Sequence, residues 1–524
     1  MTRKLSLFTI LMVVMAMVFA GCRQEEDDTP TITRKPMDLK ITSFNFKASD
    51  NSILGGNNAI GTIEGDTIRI DCPKVTSIVS LVPEFHGTYK EIFLNGKPIE
   101  SGVTKADWSK ANELVLKGYT DKERRVYKVR VRYLNLIPRI AITTPGEITS
   151  RTEYQPATIT ISNSADGNNF TASGKARGRG NATFLSYPKK SYRFKLDEAA
   201  SVCGFQKNRD WVLLAEYCDK SLMRTTYMNA LGRAAGCEWT PKSTHVDLYL
   251  NGKYNGTYLL IEQVERAKHK IVMEDDGFMI EDDNYYSWEP LYFTTSIYGR
   301  PYTFKYPDAG DGDIVKHDAN YDYIKNFMNT METTLRSSSF KDPEKGYRKY
   351  LDVPSFVSWY LVMELLGDHD PNFFYVLPTR GAKLKMYPVW DAEWTLGLAS
   401  AGPNGWQNYP EKPIYTETSE MYRTRRYFDM LFKDPYFVEQ VYLAWGKLKK
   451  NLDQVRSEVA AEIELTKLSQ EDNFKTWNIL GQPVSVGLVF FKTWKEELKY
   501  ESDWFEKRIV WFDSYIEDLY QKSR

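Results

Sequence analysis

Apolar residues in the early part of the chain fall largely on alternate positions. Runs such as Thr67-Ile68-Arg69-Ile70, Ile78-Val79-Ser80-Leu81-Val82, Glu91-Ile92-Phe93-Leu94 and Val126-Tyr127-Lys128-Val129-Arg130-Val131 are separated by turn pairs, among them Asn95-Gly96 and Lys117-Gly118. Short strands at this spacing, without a helical repeat, predict a β-sandwich over residues 38–136. A second region, residues 137–524, mixes periods. Strands are predicted around Arg193-Phe194-Lys195-Leu196, Trp211–Leu214, Val246–Leu250 and Thr257–Ile261, with Asn251-Gly252 as a turn. The 3.6-residue period predicts helices over Ser221–Ala235, capped by Asp219, and over Tyr321–Leu335 and Val353–Leu366. From about residue 411 amphipathic helix dominates, with segments predicted at Met421–Phe432, Tyr436–Asn451 and Thr493–Tyr520. The fold class is therefore multidomain, an all-β unit followed by an α+β unit with a helical C-terminal part.

One apolar stretch follows neither period. Arg3 and Lys4 precede a run from Leu5 to Ala20, which ends in small residues and Cys22. A charged start, a short apolar core and a small-residue cleavage site describe a secretory signal. The cysteine beyond the site makes it a lipoprotein signal, residues 1–21, with acylation expected at Cys22. The run is short for a membrane span of about 20 residues. Residues 22–37, opening Arg23-Gln24-Glu25-Glu26-Asp27-Asp28, read as a flexible acidic tether. The expected location is the cell envelope, lipid-anchored, at the outer membrane or its surface, with the membrane engaged through Cys22.

Composition narrows the function classes. The 69 basic and 69 acidic residues cancel, which argues against nucleic acid as a partner. Abundant aromatics, 34 Tyr and 13 Trp, suit large cores and carbohydrate-facing surfaces alike. Outside the cytoplasm Cys72, Cys203, Cys218 and Cys237 are free to pair, most readily among the last three. Their spacing is not that of a zinc site.

Two stretches concentrate chemistry. Arg177-Gly178-Arg179-Gly180-Asn181, followed by Lys189-Lys190-Ser191-Tyr192-Arg193, alternates glycine with arginine. Glycine allows close backbone approach to a ligand, and guanidinium forks meet phosphate or carboxylate oxygens; a tight turn whose arginines bridge neighbouring carboxylates is the equal alternative. The second stretch is Asp368-His369-Asp370-Pro371-Asn372, with Trp390-Asp391-Ala392-Glu393 after a hairpin. Carboxylates at both ends of a hairpin are placed to converge, and such oxygen ligands suit Mg²⁺, although loop aspartates are more often turn formers. Asp308-Ala309-Gly310-Asp311-Gly312-Asp313 lacks calcium-loop spacing and reads as a polar loop.

These motifs resemble, in order, the spore-coat CotH kinase-like family. The resemblance rests on Arg-Gly-Arg-Gly-Asn at 177–181, Lys-Lys-x-Tyr-Arg at 189–193, Asp219-Lys220-Ser221-Leu222-Met223-Arg224, the hairpin Leu248 to Tyr258, Glu262-Gln263, Pro388-Val389-Trp390-Asp391 and Asp434-Pro435-Tyr436-Phe437. The first region resembles bacterial Ig-like modules in its closing Tyr127-x-Val129-x-Val131, a pairing familiar in Bacteroidetes-type lipoproteins. The family resemblance implies an atypical protein-kinase-like fold moving phosphate from ATP, with Mg²⁺, to Ser or Thr of a protein substrate. It implies Asp370 as the catalytic aspartate, Asp391 and Asn372 as metal ligands with Glu393 beside them, and Arg177, Arg179 and Lys190 on the phosphates. Glu262 is the implied partner of the phosphate-binding base. Two departures stand out: Trp-Asp-Ala-Glu replaces the usual Trp-Asp-Phe-Asp, and Asp370 to Asn372 is shorter than the kinase interval. The alternative is a non-catalytic surface module using the fold for adhesion, with a surface glycan or a protein as its ligand.

Overall fold

The computed structural model describes residues 34–54, 58–73, 78–134, 137–164, 166–368, 370–398, 409–414, 427–485, 487 and 489–524. The signal segment, Cys22 and most of the tether lie outside them. The chain divides into two compact units, Met1–Tyr133 and Leu134–Arg524.

The first unit is all-β. Its strands are β1 (Lys40–Phe46), β2 (Ala59–Glu64), β3 (Thr67–Pro73), β4 (Glu84–Thr88), β5 (Glu91–Leu94), β6 (Lys97–Pro98), β7 (Asn112–Lys117) and β8 (Arg124–Leu134), in the order β4-β1-β2-β3-β8-β7-β5-β6. Alternation does what the sequence predicts: Phe44, Phe46, Ile68, Ile70, Leu114, Leu116, Tyr127 and Val129 share one buried cluster around Trp108. The Trp108 indole N–H donates to the Leu81 carbonyl at 2.9 Å. That bond belongs to a departure from expectation, because Ile78–Val82 is not a strand. Leu81 makes only an isolated bridge to Ala106, and the segment serves as a lid over the tryptophan.

The second unit opens with a closed barrel of β9 (Arg139–Thr143), β10 (Gln155–Ser162), β11 (Phe170–Arg179), β12 (Ser191–Ala200), β13 (Asn208–Leu214), β14 (Ser243–Leu250) and β15 (Lys253–Glu262). Closure comes from a parallel pairing of β9 with β14, and Ile140, Ile159, Phe194, Trp211, Leu248 and Leu260 fill the interior. A second sheet, ordered β17-β18-β16-β19-β20, is built from β16 (Phe278–Asp282), β17 (Tyr292–Thr294), β18 (Pro301–Tyr306), β19 (Phe373–Leu377) and β20 (Lys385–Met386). Val212 and Ile261 on the barrel's outer face pack against Met279, Phe374, Val376 and Trp390, so barrel and sheet share an apolar seam.

Helices complete this unit: α1 (Ala182–Leu185), α2 (Arg224–Ala234), α3 (Ala319–Leu335), α4 (Val353–Leu366), α5 (Phe428–Leu431), α6 (Pro435–Leu448), α7 (Leu452–Thr466), α8 (Ser469–Thr476) and α9 (Trp494–Ser523). Helix α4 is apolar on nearly every side and sits within the largest core. Asp352 caps its start and Gly367, at φ 65, ends it. Asp219 does not cap α2 as expected: Met223 holds that position, and the Asp219 carboxylate accepts from the backbone N–H of Ser221 and Arg224 while pairing with the Arg224 guanidinium. The expected helix over Met421–Phe432 is described only as the short α5; residues 415–426 lie outside the described set. Pairing among the cysteines is also corrected. All four are free, because Cys203 faces the barrel interior, Cys218 sits in a separate small cluster and Cys237 packs on the helical core.

Candidate functional site

The apolar seam between barrel and second sheet ends in polar residues from both sides. On the barrel side, outward-facing positions of β11 carry Arg177 and Arg179, with Arg193 opposite Arg177 on β12. Beyond Arg179 the chain turns at Gly180, φ 88, into α1. The glycines of this loop do not leave open backbone. A Cβ on Gly178 would strike the Phe184 ring, and one on Gly180 would strike the Thr183 hydroxyl. Their bareness lets the loop fold on itself.

The loop's cations divide into two roles. Arg177 donates to the Arg151 carbonyl, Arg151 donates to the Asn181 Oδ1 at 2.7 Å, and Lys190 donates to the Phe184 carbonyl at 2.5 Å. Those three brace the turn. Arg179 instead lies over the Trp390 ring, 5.1 Å from its centroid, and feels the charge of Asp391. Burial lowers its pKa to about 10, and Asp391 works against that. The neighbouring lysine is the deeply buried one. Lys189 donates to the Thr257 carbonyl at 2.5 Å and to the Asn473 Oδ1 at 3.0 Å, tying β15 to α8, and burial brings it down to about 7.

On the opposite side, α4 stops at Gly367 and delivers an acidic loop. The buried Asp368 carboxyl accepts the Asp370 backbone N–H at 2.9 Å, and burial raises its pKa well above the carboxylate range. Asn372 starts the path into β19, whose pairing with β16 sets it beside Glu281; its amide donates to the Glu281 Oε1 at 2.7 Å. Lys305 on β18 reaches the other Glu281 oxygen at 2.9 Å. Asp391 follows from the other end of the hairpin. Its side chain is open to solvent, yet crowded enough that desolvation and the nearby Asp370 raise its pKa to about 6, with Arg179 opposing. Access together with crowding describes a recessed carboxylate. Glu393 is fully buried beneath it, pushed up to about 8 by burial and then by Asp391, Glu216 and Asp219.

The structure thus brings Arg179, Asp370, Asn372 and Asp391 to one place, with Glu393 behind. It does not bring Glu262 there: that carboxylate accepts the Lys242 backbone N–H at 2.9 Å and closes the end of the β14–β15 pair. Glu281 is the residue the sequence reading missed. No local signal marks it, since only the pairing of β16 with β19 carries it to Asn372. Among the described residues no three His, Cys, Asp or Glu side chains gather tightly enough to hold a metal ion. Mg²⁺ needs less than that, because it keeps waters and commonly takes one or two carboxylates plus phosphate oxygens. Asp391 and Asn372 supply hard oxygen donors of the right kind, so the residues fit. The Asp308 loop is an Asx turn, with Asp308 accepting from the Gly310 N–H at 2.7 Å.

The family model described as CotH kinase protein matches residues 176–512, from the arginine loop through most of α9. The chain belongs to the CotH kinase protein family. The matched span takes in every element of this CotH-family site, and the all-β first unit lies outside it. No curated protein matches the chain. Among solved structures, a candidate glycoside hydrolase from Bacteroides thetaiotaomicron is similar at 13% identity over 31% of this chain and 53% of its own, with a TM-score of 0.16. The chain spans about half the length of that structure.

Proposed function

We propose that the second unit is an atypical protein kinase, moving the terminal phosphoryl group of ATP to a Ser or Thr hydroxyl of a protein. The observation that supports this most directly is the setting of Arg179 beside the recessed Asp391, with Asp370 and Asn372 alongside. Phosphoryl transfer asks the protein for positioning and charge neutralisation more than for covalent chemistry. Asp370 orients the hydroxyl and takes its proton as the oxygen bonds to phosphorus; the bond to the departing ADP breaks. Arg179 offsets charge on the transferred group. Mg²⁺, held by Asp391 and Asn372, would supply further neutralisation of the phosphates. Glu393, kept neutral by its burial, acts from behind Asp391 and limits the negative charge there.

The finer architecture belongs to the same proposal. We read the first unit as an Ig-like spacer, and Cys22 as a lipid anchor at the outer membrane that puts the kinase within reach of envelope proteins. A second reading, adhesion or carbohydrate binding without catalysis, draws on the replacement of the usual Trp-Asp-Phe-Asp by Trp390-Asp391-Ala392-Glu393 and on the short Asp370 to Asn372 interval. Calorimetric titration with ATP and Mg²⁺, beside radiolabel transfer to an envelope extract, separates the two. Binding and transfer that vanish in Asp391→Asn support the kinase. No binding by the unaltered protein, with glycan-array binding that survives Asp391→Asn, would replace it with the second reading.

A further inference from the structure

The phosphoryl-transfer reading uses only one end of a charged stripe on the barrel. Register places Lys175 directly opposite Lys195 and Arg177 directly opposite Arg193, and Arg179 ends the row beside Asp391. Like charges facing each other across strands destabilise a sheet. One carboxylate relieves part of this: Asp210 on β13 takes Arg193 and also Lys195, the latter at 3.1 Å. Among the described residues, no carboxylate comes within ion-pair distance of Lys175 or Arg177. Three of the cations converge instead on the Tyr154 ring, with Lys175 and Arg177 each 4.9 Å and Lys195 5.7 Å from its centroid. A ring attracts cations without cancelling their charge. The Tyr154 hydroxyl and the Arg177 Nε are also buried there without a hydrogen-bond partner. Lys175 lies four residues back along β11 from Arg179, about 13 Å at strand rise.

We propose that this stripe docks an acidic segment of the protein substrate beside the residue to be phosphorylated, a proposal that rests on the kinase reading. The row of uncancelled charge supplies the attraction, and its end at Arg179 supplies the direction, toward Asp370. Two short facing rows on neighbouring strands, gathered around one ring, make a narrow track that suits an extended peptide. A nucleic-acid face would call for a broad basic field with several stacking rings, whereas the whole chain carries no net charge.

The test uses a fluorescein-labelled twelve-residue Glu/Ser peptide, a Gln/Ser control peptide and inorganic tripolyphosphate, each titrated against the protein and Lys175→Glu. Lys175 is exposed and takes no part in the catalytic site. Anisotropy is expected to show peptide binding about tenfold weaker in the variant, mainly through slower association, with a shallower salt dependence. Mg²⁺-ATP affinity should not change, and the melting temperature should hold or rise as a like-charge pair becomes an opposite-charge one. Equal peptide affinity in both proteins overturns the proposal. So does tripolyphosphate binding that falls in the variant while the Glu/Ser peptide binds no better than its Gln control, which would give the stripe to the nucleotide. Peptide binding that weakens as expected in a protein that binds no ATP supports the docking surface and removes the kinase reading alone.

Discussion

Replacing Glu393 with Gln should stabilise the protein, and by an amount that grows with pH. The side chain is buried, and its carboxyl titrates at about 8 instead of the ordinary 4.5, held up by burial and then by Asp391, Glu216 and Asp219. Between those two values the folded protein keeps a proton that the unfolded chain has released, so stability falls as pH rises through that window. At pH 7 about 2.5 pH units of it have been crossed, and at about 1.4 kcal/mol each the cost is about 3 kcal/mol. At pH 5 it is under about 1 kcal/mol. Gln keeps the shape and has no charge to desolvate. Scanning calorimetry of both proteins from pH 5 to 8.5, without divalent cations, should show nearly equal melting at the acid end. The curves should then separate by a few degrees toward pH 8. Parallel curves, or a variant that melts lower throughout, would show that Glu393 is ionised and paired in the fold, and the reasoning would fail.

The other predictions test the frame around the site. Because Asp391 titrates at about 6, Mg²⁺-dependent nucleotide affinity should fall as pH drops through 6, and titrations at pH 5 and 7.5 should differ by about tenfold. Arg508 on α9 donates to the Glu364 carboxylate at 2.8 Å inside the core, so Arg508→Met should cost about 3–5 kcal/mol in urea unfolding by removing the cation from that buried acid. The double change with Glu364→Leu should recover most of it. His245, buried between Glu216 at 3.1 Å and Glu462 at 2.9 Å, is raised from 6.5 to about 10. Its stabilisation is therefore complete below pH 6.5 and lost as pH rises through 10, and the margin of the protein over His245→Gln should shrink across that range in thermal melts. Gly178→Ala should drive the Phe184 ring out of its place, costing about 1–3 kcal/mol by calorimetry and loosening the arginine loop.

What the sequence revealed follows the range of the forces involved. Helix α4 was legible to the residue, because Asp352, the helical apolar run and Gly367 are all local signals. Alternation likewise located β3, β5 and β8 of the first unit and β12 to β15 of the second, but it also marked Ile78–Val82, which is not a strand. Barrel closure was not legible, since it depends on β9 meeting β14 roughly a hundred residues later. At the site, Asp370, Asn372 and Asp391 were found through motifs, and the hairpin between them does bring them together. Lys189 and Lys190 show the limit of that method: two adjacent lysines on opposite sides of the backbone cannot be ranked by spacing, and the buried one braces β15 and α8. Glu262 shows the same limit, its partner being a backbone N–H that no pattern announces. Glu281 had no motif at all.

Asp391 sits at φ 70, a left-handed backbone that favours glycine and tolerates asparagine. Holding aspartate there costs about 1–3 kcal/mol. A mutational scan at this one codon should therefore run against the usual trend, with Gly and Asn raising yield and resistance to proteolysis while removing transfer. A copy of the chain released from its task would gain robustness by losing this carboxylate, so sturdiness in a laboratory variant is no sign that it still works.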